Sequence, residues 1–313
     1  MNAVRLVLSD LARELVCSNI ATKLLSNVLR QPRILMLHGV DGYSYGIGLF
    51  RAHLEFLSRH FRIVPLEEIW SAETKLGDRR PKVALTFDDG LRNNLTVAYP
   101  LLKEFHAPAT FFVCPGLVGS GRWLWNHECR ARLKILDEVS RHKFAEGIGA
   151  GDGTVEAIIQ HIKYMPYAAR LSAVQRIQDL TPTFQPTAVD HLTYDLMSWE
   201  ELKSLDPRLI TIGAHSTNHE ILTGLPAGVL ESEVGGCRVL LERELGLPVR
   251  HFCYPDGAYS AAVRGCVGQH FESAVTTRAA WVPDMPALFD LPRIPAGGVS
   301  LRDLAWRMQR PGG

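Results

Sequence analysis

Short apolar runs separated by amphipathic stretches set the pattern of this chain. Residues 34–37, 83–87, 109–113, 210–214, 251–254 and 273–276 read as buried strands. Residues 50–60, 96–105, 198–205 and 230–245 read as the intervening helices, with Pro81, Pro108 and Pro248 as punctuation. Gly246-Leu247-Pro248 reads as a helix stop with the glycine as cap. Strand alternating with helix predicts a parallel, barrel-like sheet whose site lies at the C-terminal ends of the strands.

One such strand end is chemically unusual. Val83-Ala84-Leu85 runs into Thr86-Phe87-Asp88-Asp89-Gly90, which places two adjacent carboxylates at one mouth of the sheet. Neighbouring side chains on a strand point different ways, so the two acids can take separate tasks. One can hold a metal while the other moves protons. An ordinary Asp-Gly turn after a strand would carry the same letters.

Two later stretches bear on the choice. His215-Ser216-Thr217-Asn218-His219 carries two histidines four apart, which one helical turn or a tight loop can aim at one point. With a carboxylate from another strand end they make a familiar ligand set with positions left open for water and substrate. Arg250-His251-Phe252-Cys253-Tyr254-Pro255-Asp256-Gly257 is an extended run ended by proline and glycine, suited to presenting a backbone N–H to a developing oxyanion.

In this order the three motifs resemble those of the polysaccharide deacetylases, carbohydrate esterase family 4 or the NodB-homology domain. Residues 34–40 are similar to that family's opening strand. Residues 274–278 and 291–295 are similar to the closing strands of a branch associated with bacterial surface polysaccharides. The likeness covers roughly 32–296. It implies an α/β fold, a distorted (β/α) barrel, as a single catalytic domain over 32–313. It also implies that Asp89, His215 and His219 bind one divalent metal, usually zinc. Asp88 would be the general base, and the N–H of Tyr254 would support the oxyanion. The implied reaction is hydrolysis of an N-acetyl group, less often O-acetyl, with release of acetate. Two histidines and a carboxylate also accept cobalt, nickel or iron.

The sequence departs from the family at the closing motif. Where the best-known members have Leu-x-His, this chain reads Leu291-Pro292-Arg293. The arginine they place before the Pro-x-Gly turn to position the base is replaced by Cys253, and their fourth-motif aspartate has no counterpart near Thr276-Thr277-Arg278. Arg293 cannot donate a proton at neutral pH, although it can orient a carboxylate or stabilise negative charge. The acid for the leaving amine is then expected from Asp88 after it has taken the water's proton, with His38 next and His127 a further candidate.

Length and composition agree with this reading. The 313 residues, 46% hydrophobic, suffice for one large α/β domain. A net charge of +1 gives no reason to expect nucleic acid as a partner. The expected partner is an amino sugar carried on polymer, lipid or nucleotide. Six scattered cysteines suggest neither a zinc knuckle nor a disulfide framework, and reduced thiols in the cytoplasm are the default expectation.

Residues 1–31 have amphipathic helical spacing without the apolar core of a signal peptide or a membrane span. Such a helix packs on its own domain or makes a peripheral contact at the inner membrane face. Residues 119–194 exceed what a minimal barrel needs. Within them 131–140 and 168–180 read as helices, and 147–153 as a hinge or surface loop. This stretch is either a solubilising insertion or a cap whose exposed tryptophans stack on sugars. Two other functions compete with sugar deacetylation: a deformylase or cyclic-amide hydrolase on the same fold, and a sugar-binding module that has lost catalysis.

Overall fold

The computed structural model describes residues 30–41, 45–71 and 78–310. The helix expected over 1–31 lies outside the described residues except for its last two positions.

A parallel sheet organises the chain. Its strands are β1 (Arg33–Leu37), β2 (Arg62–Ile63), β3 (Lys82–Phe87), β4 (Ala109–Val113), β5 (Ile210–Ala214), β6 (His251–Cys253), β7 (Ser273–Val275) and β8 (Ile294–Pro295). They follow the order β7-β6-β5-β4-β3-β1-β8, and β2 pairs the start of β3 before β4 takes over at Leu85↔Ala109. Every residue of β3 and of β4 is buried. Strands covered on both faces in this way read as continuous apolar runs, which is why the sequence announced them.

The ends of the sheet approach one another. Thr276 N donates to Leu291 O (2.9 Å), Leu291 N to Ala274 O (3.0 Å) and Arg293 N to Arg278 O (3.0 Å). The segment 288–293 thus runs beside β7 and then delivers β8 to β1, curling the sheet into a distorted (β/α) barrel.

Helices cover the outside. Phe50, Leu54 and Leu57 of α1 (Ile47–His60) share one core with Leu85, Phe87 and Phe111. Burying each such side chain stabilises by about 1.5–3 kcal/mol. The helix expected over 96–105 begins instead as a π-turn at Asn94–Ala98 and continues as α2 (Tyr99–Glu104). Pro100 has no N–H to return to the carbonyl of Thr96, which explains the widened register.

The stretch 119–194 forms α3 (Trp125–Ile135), α4 (Glu138–Ile148), α5 (Val155–Lys163), α6 (Tyr167–Leu180) and α7 (Ala188–Tyr194). The single helix expected over 131–140 is two, because Asp137 accepts from Ser140 N (2.8 Å) and caps the start of α4. Within 147–153, Gly149 (φ 76°) ends α4 in the left-handed region. Leu133, Phe144, Ile158, Ile159, Ile162 and Ile177 give these helices an apolar core of their own.

The barrel resumes with α8 (Trp199–Lys203), α9 (Ala227–Leu245), α10 (Ala261–His270) and α11 (Leu301–Gln309). Among the described residues no helix is long and apolar enough to cross a membrane, and Cys114, Cys129, Cys237, Cys253 and Cys266 are free thiols.

Candidate active site

The chain leaves β3 through a left-handed turn, Asp89 at φ 77° and Gly90 at φ 71°. A Cβ on Gly90 would stand 2.9 Å from Val113 Cγ1, so the turn needs glycine both for its dihedral and for its closeness to β4. The turn separates the two carboxylates. Asp89 faces imidazoles and Asp88 faces an arginine.

Asp89 Oδ1 lies 3.6 Å from His215 Nε2 and 3.4 Å from His219 Nε2, while its Oδ2 lies 3.6 Å from His127 Nε2. The two histidines sit on a tight loop rather than a helix, with Ser216 and His219 each at φ 59°. Neighbours hold this strained backbone in place. Gly116 N donates to Thr217 O (2.8 Å), and Glu233 on α9 accepts from Asn218 N (2.9 Å) and Nδ2 (2.8 Å).

His215 Nδ1 donates to the carbonyl of Cys253 (2.7 Å), which turns Nε2 toward Asp89. Burial opposes charge on His215, but the Cys253 sulfur and the Asp89 carboxylate outweigh it and hold its pKa well above the ordinary value. Burial pushes His219 the other way, down to about 3. The separations are too long for good hydrogen bonds. Even so, ligand atoms of Asp89, His215 and His219 all lie within 4.8 Å of one another. A buried carboxylate with two imidazole nitrogens converging on it fits a divalent cation, which would displace the His215 proton.

Asp88 is held differently. Arg293 Nη1 and Nη2 donate to Oδ1 and Oδ2, both at 2.7 Å. Nη1 also donates to Thr86 Oγ1 (3.0 Å), Nη2 to Cys253 Sγ (3.2 Å), and Nε to Thr276 O (2.8 Å). All five guanidinium N–H groups therefore have acceptors. Burial alone would raise the pKa of Asp88, and the charge and paired hydrogen bonds of Arg293 override it and hold the carboxyl below its usual range.

Two expectations change here. Arg293 is completely buried, so it does not face substrate as the family's closing histidine would. It orients Asp88 from the far side of the barrel, and the small Cys253 leaves space for it. The N–H of Tyr254 is not free for an oxyanion, because it donates to Val275 O (3.3 Å) in line with the β6–β7 ladder. The Tyr254 ring is buried and its hydroxyl donates to Phe289 O (3.2 Å).

A cavity of about 280 Å³ opens over Asp89, lined by His38, Asp41, Tyr45, His127 and Tyr194 among others. His38 is exposed at its rim. All three candidate acids, Asp88, His38 and His127, gather around the cluster, and burial pushes His127 down to about 4. The insertion supplies His127 and Tyr194, whose rings lie 4.8 Å apart.

The tryptophans expected to stack on sugar are occupied. Trp123 is buried with Nε1 on Asp195 (2.9 Å), and half-buried Trp125 donates to His219 O (3.1 Å). Ion pairs Lys163–Asp256 and Arg170–Glu220 complete the attachment of the insertion to the loops after β5 and β6. Tyr194 had no signal in the sequence, since nothing local to it distinguishes a cavity wall from any helix end.

The profile of a family described as polysaccharide deacetylase matches residues 75–270. No curated protein matches the chain. Among solved structures, the Streptococcus pyogenes deacetylase PplD in complex with acetate is 18% identical over 89% of this chain and 98% of its own, with a TM-score of 0.59. IcaB from Ammonifex degensii is 17% identical over 90% and 97%, with a TM-score of 0.56. BC0361, a polysaccharide deacetylase from Bacillus cereus, is 16% identical over 89% and 69%, with a TM-score of 0.55. At these identities the likeness is one of fold.

Proposed function

The chain belongs to the polysaccharide deacetylase family, and from that premise we propose that it is a metal-dependent hydrolase removing an N-acetyl group from an amino sugar of a bacterial surface polysaccharide or its precursor. The observation that carries this reading is a pair of adjacent carboxylates in opposite surroundings, Asp89 among imidazoles and Asp88 clamped by Arg293.

Asp89, His215 and His219 would hold the divalent ion, which supplies a Lewis acid for the amide carbonyl and a water acidified toward neutrality. Asp88 accepts the proton of the attacking water. Arg293 keeps that carboxylate ionised and fixes both its oxygens, so the base is aimed before substrate arrives. Because the same contacts hold its pKa low, Asp88 returns the proton readily to the leaving amine. His38 stands at the rim as the second donor. Tyr194 and His127 wall the cavity on the insertion side and narrow the access of bulk water.

Acetate release from a panel of N-acetylated amino sugars, alongside N-formyl sugars and cyclic amides, tests the reaction. Turnover of the acetyl compounds is expected; turnover confined to the other two classes would overturn it. His219→Ala should lose metal and activity together. Full metal occupancy in that variant would remove His219 from the ligand set.

A further inference from the structure

We propose a second cation site on the outer helical layer, where Glu231 of α9 meets Cys266 and His270 of α10. It takes a zinc-like divalent ion and ties the two helices together. It does not depend on the reading of the strand-end cluster.

Cys266 and His270 are four residues apart, so α10 presents both on one face. Cys266 Sγ lies 3.5 Å from Glu231 Oε2 and His270 Nε2 lies 2.8 Å from Glu231 Oε1. All three ligand atoms fall within 4.8 Å of one another. Zinc–ligand bonds of about 2.0–2.3 Å place tetrahedral donors about 3.3–3.8 Å apart, so these side chains need move little to share one ion. Thiolate, imidazole and carboxylate together suit zinc or cadmium rather than calcium or magnesium.

Glu231 is exposed and His270 partly so, and two further observations point to a ligand between them. His270 Nε2 is buried and makes no hydrogen bond, although a Glu231 oxygen is close by, so proximity there is not matched by hydrogen-bond direction. Gly235 lies one turn after Glu231, in the middle of α9. A Cβ there would stand 2.4 Å from Glu231 Oε1 and 2.8 Å from His270 Cε1 and Nε2. Glycine inside a helix costs about 1 kcal/mol relative to alanine, and here it leaves a cradle into which both side chains fold. Burial and Glu231 push the Cys266 thiol up to about 11, so an ion entering at neutral pH releases a proton. Cys266 is half-exposed, whereas the other described cysteines are buried, so the site opens to solvent directly.

Cobalt(II) titration of the metal-free full chain tests the proposal. One ion per chain is expected to bring near-ultraviolet sulfur-to-cobalt charge-transfer absorption, whether or not a second binds at the strand ends. The strand-end ligands Asp89, His215 and His219 include no sulfur. Cys266→Ser should lose that band and one equivalent while acetate release stays unchanged. Gly235→Ala should weaken the same site by about 10–100-fold, the usual penalty for disturbing a ligand's surroundings. Zinc should also slow alkylation of Cys266, localised by peptide mapping in the wild-type chain. Equal alkylation with and without stoichiometric zinc, or undiminished cobalt binding in Cys266→Ser, would reduce the cluster to a surface ion pair and end the proposal.

Discussion

The strand ends and the helical insertion border one cavity, yet they are built to different tolerances. At Asp88 and Arg293 both side chains are buried and every guanidinium N–H has an acceptor. Left-handed residues at Asp89, Ser216 and His219 are held by neighbouring strands and by Glu233. The insertion has its own apolar core and reaches the mouth through a few partly exposed polar ties, among them Trp125–His219 and Lys163–Asp256. The strand-end carboxylates are thus fixed by the barrel, while a separately packed module walls the cavity and brings His127 to Asp89. Substitutions in the first should be severe and specific, and in the second mild and mostly felt in substrate binding.

The sharpest test on the barrel side is Asp88→Asn. It keeps shape but cannot accept a proton, so kcat should fall 10²–10⁴-fold with metal content unchanged. A variant within about threefold of wild type would deny Asp88 the role of base.

Next is Arg293→Met, which strands a buried carboxylate. Chemical denaturation should report a loss of about 3–5 kcal/mol. The double change Asp88→Leu with Arg293→Met should recover much of that loss, because no charge is left unpaired. Additive losses in the double variant would mean the two side chains are not coupled.

A third effect appears on acidification. Burial holds His53 on α1 at about 4, against an unfolded value near 6.5, and a contact with the Val299 backbone opposes the shift only in part. Between these values the unfolded chain binds a proton that the folded chain refuses. Stability is therefore intact above pH ~6.5 and falls as pH drops toward 4, by about 3 kcal/mol. His53→Gln should make the denaturation midpoint less steep against pH over that window, with His127 and His219, pushed down to about 4 and about 3, keeping the rest of the slope. An unchanged slope would place the burden elsewhere.

The smallest effect belongs to the insertion. Lys163→Met removes the tie to Asp256, whose side chains are 13% and 22% exposed, and should cost no more than about 1 kcal/mol. KM should rise while kcat holds. A fall in kcat with KM unchanged would mean the insertion shapes the chemistry itself.

The same division explains what could be read in advance. Strands β3 and β4 were legible because strands buried on both faces leave mostly apolar runs, and Asp88, Asp89, His215 and His219 were legible because they sit just past strand ends. Arg293 was readable as a possible carboxylate partner but not as the partner of Asp88. That contact spans 205 residues and exists only once 288–295 closes the barrel. In the insertion, α5 and α7 were missed, although Thr154 and the Thr187/Asp190 pair cap their starts. The break at Asp137 was read through for the same reason, a cap overlooked inside an apolar spacing. Tyr254 failed as an oxyanion donor because pairing decides which N–H groups are free, and pairing is not written in a motif.

The late position of Arg293 has a consequence for biogenesis. On the proposed function, a nascent chain with everything up to residue 290 outside the ribosome already carries Asp88, Asp89, His215 and His219, yet lacks the arginine that holds Asp88. Such a chain would load metal and remain catalytically mute until its last strand docks, so the onset of turnover would report completion of the barrel rather than assembly of the metal loops.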